Sequence, residues 1–260
     1  MPESAASDPA GGPGLVVPVW PAPVGVRALQ TLRSGGCSPS PWHSFNLGDH
    51  VGDDPLRVAA NRAALAACLP AEPCWLRQVH GIATVDAAKA PKCPEGDAAW
   101  TRQAGVVCAV MTADCLPVLF CDSAGSVVAA AHAGWRGLLA GVIETTLASM
   151  ACPPQQVMAW LGPAIGPAAF EVGEEVRAAF VADSPAAAAA FVARAPGKWL
   201  ANLELLARQR LAKAGVAAVY GGGECTFSAG ERFFSYRRDG QTGRMATLIW
   251  LEQATAAEGV

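Results

Sequence analysis

The stretch VVCAVMTADCLPVLFCDSAGSVVAAAHAGWRG, residues 106–137, decides the fold class. It contains three short apolar runs, at 106–111, 118–121 and 127–131, each long enough for a strand. Asp122-Ser123-Ala124-Gly125 separates the last two with turn composition, which predicts a hairpin. A helix is expected from about 138 to 150. Working outward, 24–32 reads as a strand and 54–68 as a helix. That helix has Asp53 or Asp54 near its start, Pro55 in its first turn, and apolar residues at Leu56, Ala59, Ala60, Ala63 and Ala64. Residues 74–78 and 82–86 read as strands on either side of His80 and Gly81. Beyond the middle, 157–161 is a strand ended by Gly162-Pro163, and 174–182, 185–193 and 203–214 read as helices. The last strands are 216–220 and 246–251. Strands and helices mixed in this order, with hairpins at the centre, predict an α+β or mixed α/β fold.

No repeat period is apparent, and no linker follows Gly14, so residues 15–255 are expected to form one domain. Residues 1–14 are small, polar and Pro/Gly-rich, and are expected to be a disordered lead-in. They lack the basic and then apolar order of a signal peptide. Of the 260 residues 52% are hydrophobic and 16% charged, which is the balance of a folded globular chain. A net charge of −3 supplies no basic surplus for nucleic acid or an anionic membrane. The most apolar stretch, 105–121, is interrupted by Asp114 and Pro117 and is too short to span a bilayer. Nine cysteines without a CxxC pair point to a reducing, cytoplasmic location rather than a disulfide framework. Cys108 and Cys121, inside strand-like runs, read as core residues.

Four histidines occur. His43 and His50 lie in loop-like segments. His80, Cys115 and His132 each lie where an apolar run meets a turn or a glycine, which is where a scaffold presents side chains at a sheet end. Two imidazoles and a thiolate are good zinc ligands, and three protein ligands with one open position is the usual catalytic arrangement. The same residues also fit buried, hydrogen-bonded histidines beside a core cysteine. They equally fit a nucleophile pair in which His80 or His132 serves Cys115 as base. Asp114 is either an acceptor that orients an imidazole or a turn residue bonded to its own backbone. Gly134-Trp135-Arg136-Gly137 opens a predicted helix, so Arg136 and the helix N-terminus form a candidate anion grip. Gly162-Pro163-Ala164-Ile165-Gly166-Pro167 reads as a rigid pocket wall. In 233–240, aromatic residues beside Arg237 and Arg238 suit a stacked base and an anion, or else a solvated basic turn.

These motifs together resemble the YfiH-type family, long described as laccase-domain or multicopper polyphenol oxidases. The resemblance is carried by Ser44–Gly48 with His50–Asp54, by Asn61-Arg62, Gln78-Val79-His80-Gly81 and Thr112–Pro117, and by His132–Gly137. It continues through Gly162–Pro167, Cys225-Thr226, Phe234–Asp239 and Gly243-Arg244-Met245, and so runs from about residue 24 to 251. It implies zinc held by His80, Cys115 and His132; beside them Arg136 is the candidate for a further catalytic residue, gripping phosphate, and Asn46, Arg62 and Arg237 are weaker candidates for substrate contacts. It also implies purine nucleoside phosphorylase activity on adenosine, inosine and methylthioadenosine, with adenosine deaminase activity in addition. The implied fold is a single domain of packed mixed sheets flanked by helices, similar to the catalytic domain of cytotoxic necrotizing toxins. Those toxins use a Cys–His pair, and bacterial relatives are linked to peptidoglycan precursor quality control, so the alternatives are a laccase-like copper polyphenol oxidase and a Cys–His hydrolase or peptidoglycan precursor editing factor. Copper is the less favoured metal, because a multicopper oxidase needs about ten ligands, mostly histidine, and four histidines cannot supply them. The partners implied are small molecules, nucleosides and phosphate, and the expected state is a monomer or weak homo-oligomer. One departure is Asn202, where the family tends to carry aspartate.

Overall fold

The structure is a computed structural model that describes residues 12–253. The expected lead-in before Gly12, and positions 254–255 of the expected domain, lie outside the described residues. The elements run β1 (Leu15–Val16), β2 (Val26–Thr31), α1 (Pro55–Ala66), β3 (Thr84–Asp86), β4 (Ala98–Thr101) and β5 (Val107–Thr112). Then come β6 (Leu116–Asp122), β7 (Val128–Ala133), α2 (Trp135–Ala140), α3 (Val142–Met150), β8 (Val157–Leu161) and β9 (Glu171–Gly173). The chain continues with α4 (Glu174–Asp183), β10 (Phe191–Ala195), β11 (Lys198–Ala201), α5 (Leu203–Lys213), β12 (Ala218–Gly221), α6 (Tyr236–Asp239) and β13 (Met245–Leu251).

The fold is a single mixed α/β domain with three sheets. A six-stranded sheet has the order β12-β8-β6-β7-β4-β3, and a four-stranded sheet the order β1-β2-β13-β5. Their inner faces share one core, in which Ala28, Cys108, Val110 and Ile249 meet Ala99, Leu119, Cys121 and Ala130. The alternate residues of the same strands point outward. Val118, Phe120, Ala129 and Ala131 pack under residues of α2 to α5, while Ala109, Met111 and Leu248 pack under Phe45, Leu47 and Leu65. Both faces of the central strands are therefore covered, and β5, β6 and β7 are buried at every position. That coverage is why they read as unbroken apolar runs rather than alternating ones. Burial drives the Cys108 thiol well above its usual range. It also pushes that of Cys121 up to about 12, with help from the charges of Asp122 and Cys152. A small third sheet, β10-β11-β9, lies beside α4.

Local signals explain most element ends. Asp54 caps α1 by accepting the Leu56 N–H at 2.9 Å, and Pro55 occupies the first turn, where it has no N–H to waste. Asp122 closes the β6–β7 hairpin by accepting the N–H groups of Ser126 and Val127. Asn202 caps α5 by accepting the Leu205 N–H at 2.9 Å, a task for which asparagine serves as well as aspartate. Three expectations need correction. The helix predicted over 138–150 is two, because Gly141 at φ 105° ends α2 in a left-handed turn. Residues 74–78 make only isolated bridges, Cys74 to Cys108 and Arg77 to Glu95. The helix predicted over 185–193 is a 3₁₀ turn, Pro185–Ala190, that runs straight into β10. Among the described residues no helix is long and apolar enough to cross a membrane.

Candidate active site

The β6–β7 hairpin sets the site. Leu116 pairs with Ala133 and Pro117 with His132, so Cys115 and His132 emerge at the same end of the six-stranded sheet. Asp114, just before Cys115, adopts φ 93°, which turns the chain sharply between β5 and β6. His80 sits at φ 60° at the tip of a second turn. Non-glycine residues rarely hold such angles, and the surroundings must enforce them. The Gln78 side chain does part of this by exchanging two hydrogen bonds with the Met111 backbone at 2.7 and 2.9 Å, in effect adding a rung to β5.

Asp97, fully buried, does the rest. Its carboxylate accepts the N–H groups of Val79, His80 and Gly81 at 3.1, 2.9 and 2.7 Å, and also bonds the His132 Nδ1 at 2.8 Å. One group thus fixes the His80 turn and the His132 ring together. Burial would raise the Asp97 carboxyl, but the His132 and backbone hydrogen bonds outweigh it and hold it below the usual range. With Nδ1–H given to Asp97, His132 presents Nε2 to the cleft. This is the role that sequence reasoning offered to Asp114. The Asp114 carboxylate is instead spent on the Thr226 hydroxyl and the Arg237 N–H, both at 2.6 Å. It ties the β5–β6 turn to the segments that wall the cleft.

The donor atoms of His80, Cys115 and His132 lie within 4.8 Å of one another. The His80 Nε2 to Cys115 Sγ distance is 3.8 Å, against roughly 3.6 Å between nitrogen and sulfur across a tetrahedral zinc. The two imidazoles meet edge to face at 4.8 Å between centroids. Gly134 leaves room for them, since a Cβ there would stand 2.9 Å from Cys115 Sγ and 3.1 Å from His80 Cδ2. Geometry and donor chemistry both fit one metal ion held by two nitrogens and a thiolate, with a side open to the cleft. Among the described residues this is the one such group of histidine, cysteine or acidic side chains.

Burial by itself would raise the Cys115 thiol, but the His132 charge and hydrogen bond, with His80 behind them, bring it down to about 6. Burial would lower His132, yet Cys115 and Asp97 carry it up to about 9. The thiolate–imidazolium form therefore prevails between these values in the metal-free protein. At pH 7 about 90% of Cys115 would be thiolate, against about 3% for an ordinary thiol. Alkylation of Cys115 by iodoacetamide in metal-stripped protein, followed by peptide mass spectrometry, is expected to be flat from about pH 7 to 9 and to fall below about pH 6. A rate that climbs about tenfold per pH unit up to about pH 8 and levels off only above about pH 8.5 would show the thiol to be unperturbed.

The cleft above this cluster has a volume of about 600 Å³. Its walls include Trp135, Phe170 and Tyr236 among the aromatics, and Arg136, Arg237, Arg244 and His50 among the basic groups. Arg136 is exposed and stacks on Trp135, 4.4 Å from its ring centroid. The helix it opens has six residues, so the dipole expected to assist it is short. Arg237 is exposed and donates to the carbonyls of Ala169 and Glu171. Asn46 and Arg62 do not reach the cleft. All four hydrogen-bonding positions of the Asn46 amide are taken, by Gly48 twice, Asp53 and Arg244, and the residue is fully buried. Arg62 turns to another cleft, where it meets the Leu47 carbonyl, Asp49 and the Trp75 ring. Sequence reasoning missed Asp97, because Glu95-Gly96-Asp97 reads as a polar turn. It saw Arg244 only as part of a motif.

The family model described as multi-copper polyphenol oxidoreductase laccase matches residues 27–252. A purine nucleoside phosphorylase of Pseudomonas aeruginosa is 55% identical over 238 residues, covering 91% of this chain and 98% of that protein. The purine nucleoside phosphorylase YfiH of Escherichia coli is 55% identical over 240 residues, with the same coverage. A crystal structure of a Neisseria meningitidis protein superposes with a TM-score of 0.89 at 52% identity, covering 92% of this chain and 99% of that one. YlmD from Geobacillus stearothermophilus superposes with a TM-score of 0.85 at 32% identity, covering 90% and 94%. With the family model matched over residues 27–252, a shared fold and relatives matched along nearly their whole length, the chain belongs to the YfiH-type family, the laccase-domain proteins.

Proposed function

We propose that the protein is a zinc-dependent purine nucleoside phosphorylase acting on adenosine, inosine and methylthioadenosine, with adenosine deaminase activity at the same site. One observation carries the reading. Relatives 55% identical along nearly their full length bear the phosphorylase name, and this chain places an open His–Cys–His donor set under a basic, aromatic-walled cleft. In phosphorolysis a phosphate oxygen bonds to C1′ of the ribose while the C1′–N9 bond breaks, its electron pair leaving with the purine, which takes up a proton. In deamination water adds at C6 and ammonia leaves. When bound, zinc supplies Lewis-acid chemistry, polarising an oxygen and lowering the pKa of water toward about 7.

The chain's own residues do the remainder. His80, Cys115 and His132 would hold the ion, with Asp97 keeping the His132 tautomer fixed. Trp135, Phe170 and Tyr236 offer flat faces to a purine, and Arg136 and Arg237 stand at the cleft to meet polar groups of the substrate. The cleft volume is in the range of small-molecule sites. Nine free thiols suit a cytoplasmic enzyme. A true multicopper oxidase remains disfavoured, since His43 and His50 do not join the cluster.

The test is chromatographic. Protein purified without added metal is expected to carry about one equivalent of zinc and to convert inosine to hypoxanthine only when phosphate is present. A chelator should stop conversion and zinc restore it. Copper-dependent oxidation of a polyphenol, with no nucleoside consumed, would overturn the proposal.

A further inference from the structure

Resting on the phosphorolysis reading, we infer that the phosphate is gripped by Arg244, with Thr112 beside it, rather than by the exposed arginines of the cleft. The cleft is basic within a chain of net charge −3, and none of Arg136, Arg237 and Arg244 has a carboxylate partner among the described residues. The three differ in burial and in the state of their donors. Arg136 is exposed to solvent, where salt screens it. Arg237 spends Nη1 on two backbone carbonyls. Arg244 is half-buried and lines the cleft. Only its Nη1 is engaged, by the Thr242 and Gly243 carbonyls at 3.1 Å, so Nε and Nη2 have no partner among the described residues. Two adjacent free donors on a rigid planar group match two oxygens of a phosphate.

An independent observation points to the same place. Thr112 lines the cleft, is 2% exposed, and its hydroxyl is buried without a hydrogen-bond partner. Such a group is costly to leave unpaired, and it calls for a partner that arrives with a ligand. Thr112 pairs with Met245 across β5 and β13, so Arg244 is the next residue along from Thr112's partner. The backbone under Arg244 is fixed as well, because its N–H donates to Asn46 Oδ1 at 2.9 Å. Asn46, which does not reach the cleft itself, thus acts as a positioning residue for Arg244. The anion subsite is built where the end of β5 meets the start of β13, beside the His–Cys–His cluster. Phosphate held there could face a ribose C1′ in the same cleft.

Arg244→Gln and Thr112→Val are the test, read by calorimetric titration with inorganic phosphate and by steady-state kinetics. Arg244→Gln is expected to raise KM for phosphate at least tenfold while KM for inosine stays within about twofold. Thr112→Val, which removes the hydroxyl at nearly constant volume, is expected to raise it about fivefold without lowering Tm. If Arg244→Gln does not fold, Thr112→Val decides. A phosphate KM at the wild-type value in that variant overturns the inference, as it does in Arg244→Gln. Wild-type protein that takes up no phosphate in the calorimeter overturns it too. Phosphate binding that is lost in Arg244→Gln, in a protein that cleaves no nucleoside, would support the subsite while refuting the phosphorylase reading. Nucleoside cleavage by both proteins with equal phosphate KM would do the reverse.

Discussion

Cys115→Ser is expected to leave the fold intact, to abolish tight zinc binding, and to lower inosine phosphorolysis by about a thousandfold or more. Serine keeps the volume of cysteine but offers a hydroxyl whose pKa makes it a poor ligand at neutral pH, whereas the Cys115 thiol is already brought down to about 6 by its histidine neighbours. A Lewis acid contributes several kcal/mol at a transition state, and each 1.4 kcal/mol is tenfold in rate, so loss of the ion costs about three decades. His80→Ala and His132→Ala should match this loss, because each removes one of three ligands. The measurements are metal content by elemental analysis and turnover by chromatography. The set also separates the metal enzyme from a thiol hydrolase on the Cys115–histidine pair. Stripping the ion frees the thiolate, so a hydrolase should gain activity on chelation and a metal enzyme should lose it. Unchanged turnover in chelated wild-type protein would end the metal reading.

Asp97→Ala is the second large effect, and it acts on stability and on metal affinity together. The substitution leaves the N–H groups of Val79, His80 and Gly81 without their acceptor. These donors are only partly buried, so each lost bond costs about 1 kcal/mol, and the total is of order 3 kcal/mol against a typical domain stability of about 5–15 kcal/mol. For a chain of this size that is roughly a 10 °C fall in Tm. The His132 ring also loses the partner that fixes its tautomer, and loss of such an acceptor typically weakens metal binding by about 10- to 100-fold. Asp97→Asn separates the two effects. An amide can still accept N–H bonds from the turn, but its NH₂ aimed at Nδ1 places the His132 proton on Nε2, the atom needed for the ion. Asparagine should therefore recover much of the Tm and little of the metal affinity. Calorimetry and chelator competition check this, and wild-type values for both in Asp97→Ala would remove Asp97 from the site.

The parts legible in the sequence were those where local chemistry acts alone. Asp54 followed by Pro55 announces α1, and Asp122 to Gly125 announces the hairpin that holds the cluster. His80, Cys115 and His132 stood out because each follows an apolar run and meets a turn. What escaped notice depends on distant partners. The strand β4 is four residues long, and β9 is three; neither has a pattern beyond its length, and each exists because a neighbour pairs with it. Asp97 and Asp114 are both polar residues at strand ends, and nothing local says which one would face His132. The answer lies in β4 pairing with β7, which sets Ala98 opposite Ala131 and so carries Asp97 to the imidazole. The expected continuous helix after Gly137 failed on one backbone angle, at Gly141.

The placement of β13 has a consequence for biogenesis. This strand lies between β2 and β5, paired along both edges, although it is the final element of the sequence. During synthesis β5 must wait with an open edge and a wholly apolar face until residues 245–251 leave the ribosome, an interval in which chaperones or neighbouring nascent chains can claim it. The would-be ligands and Asp97 are all translated by residue 132, and Asp97, Cys115 and His132 lie on or beside β4, β6 and β7, which pair with one another. Arg244 enters only with the closing strand. A nascent chain could thus acquire its ion well before it can bind an oxyanion, and the order of assembly would guard a half-built catalyst from its own substrate.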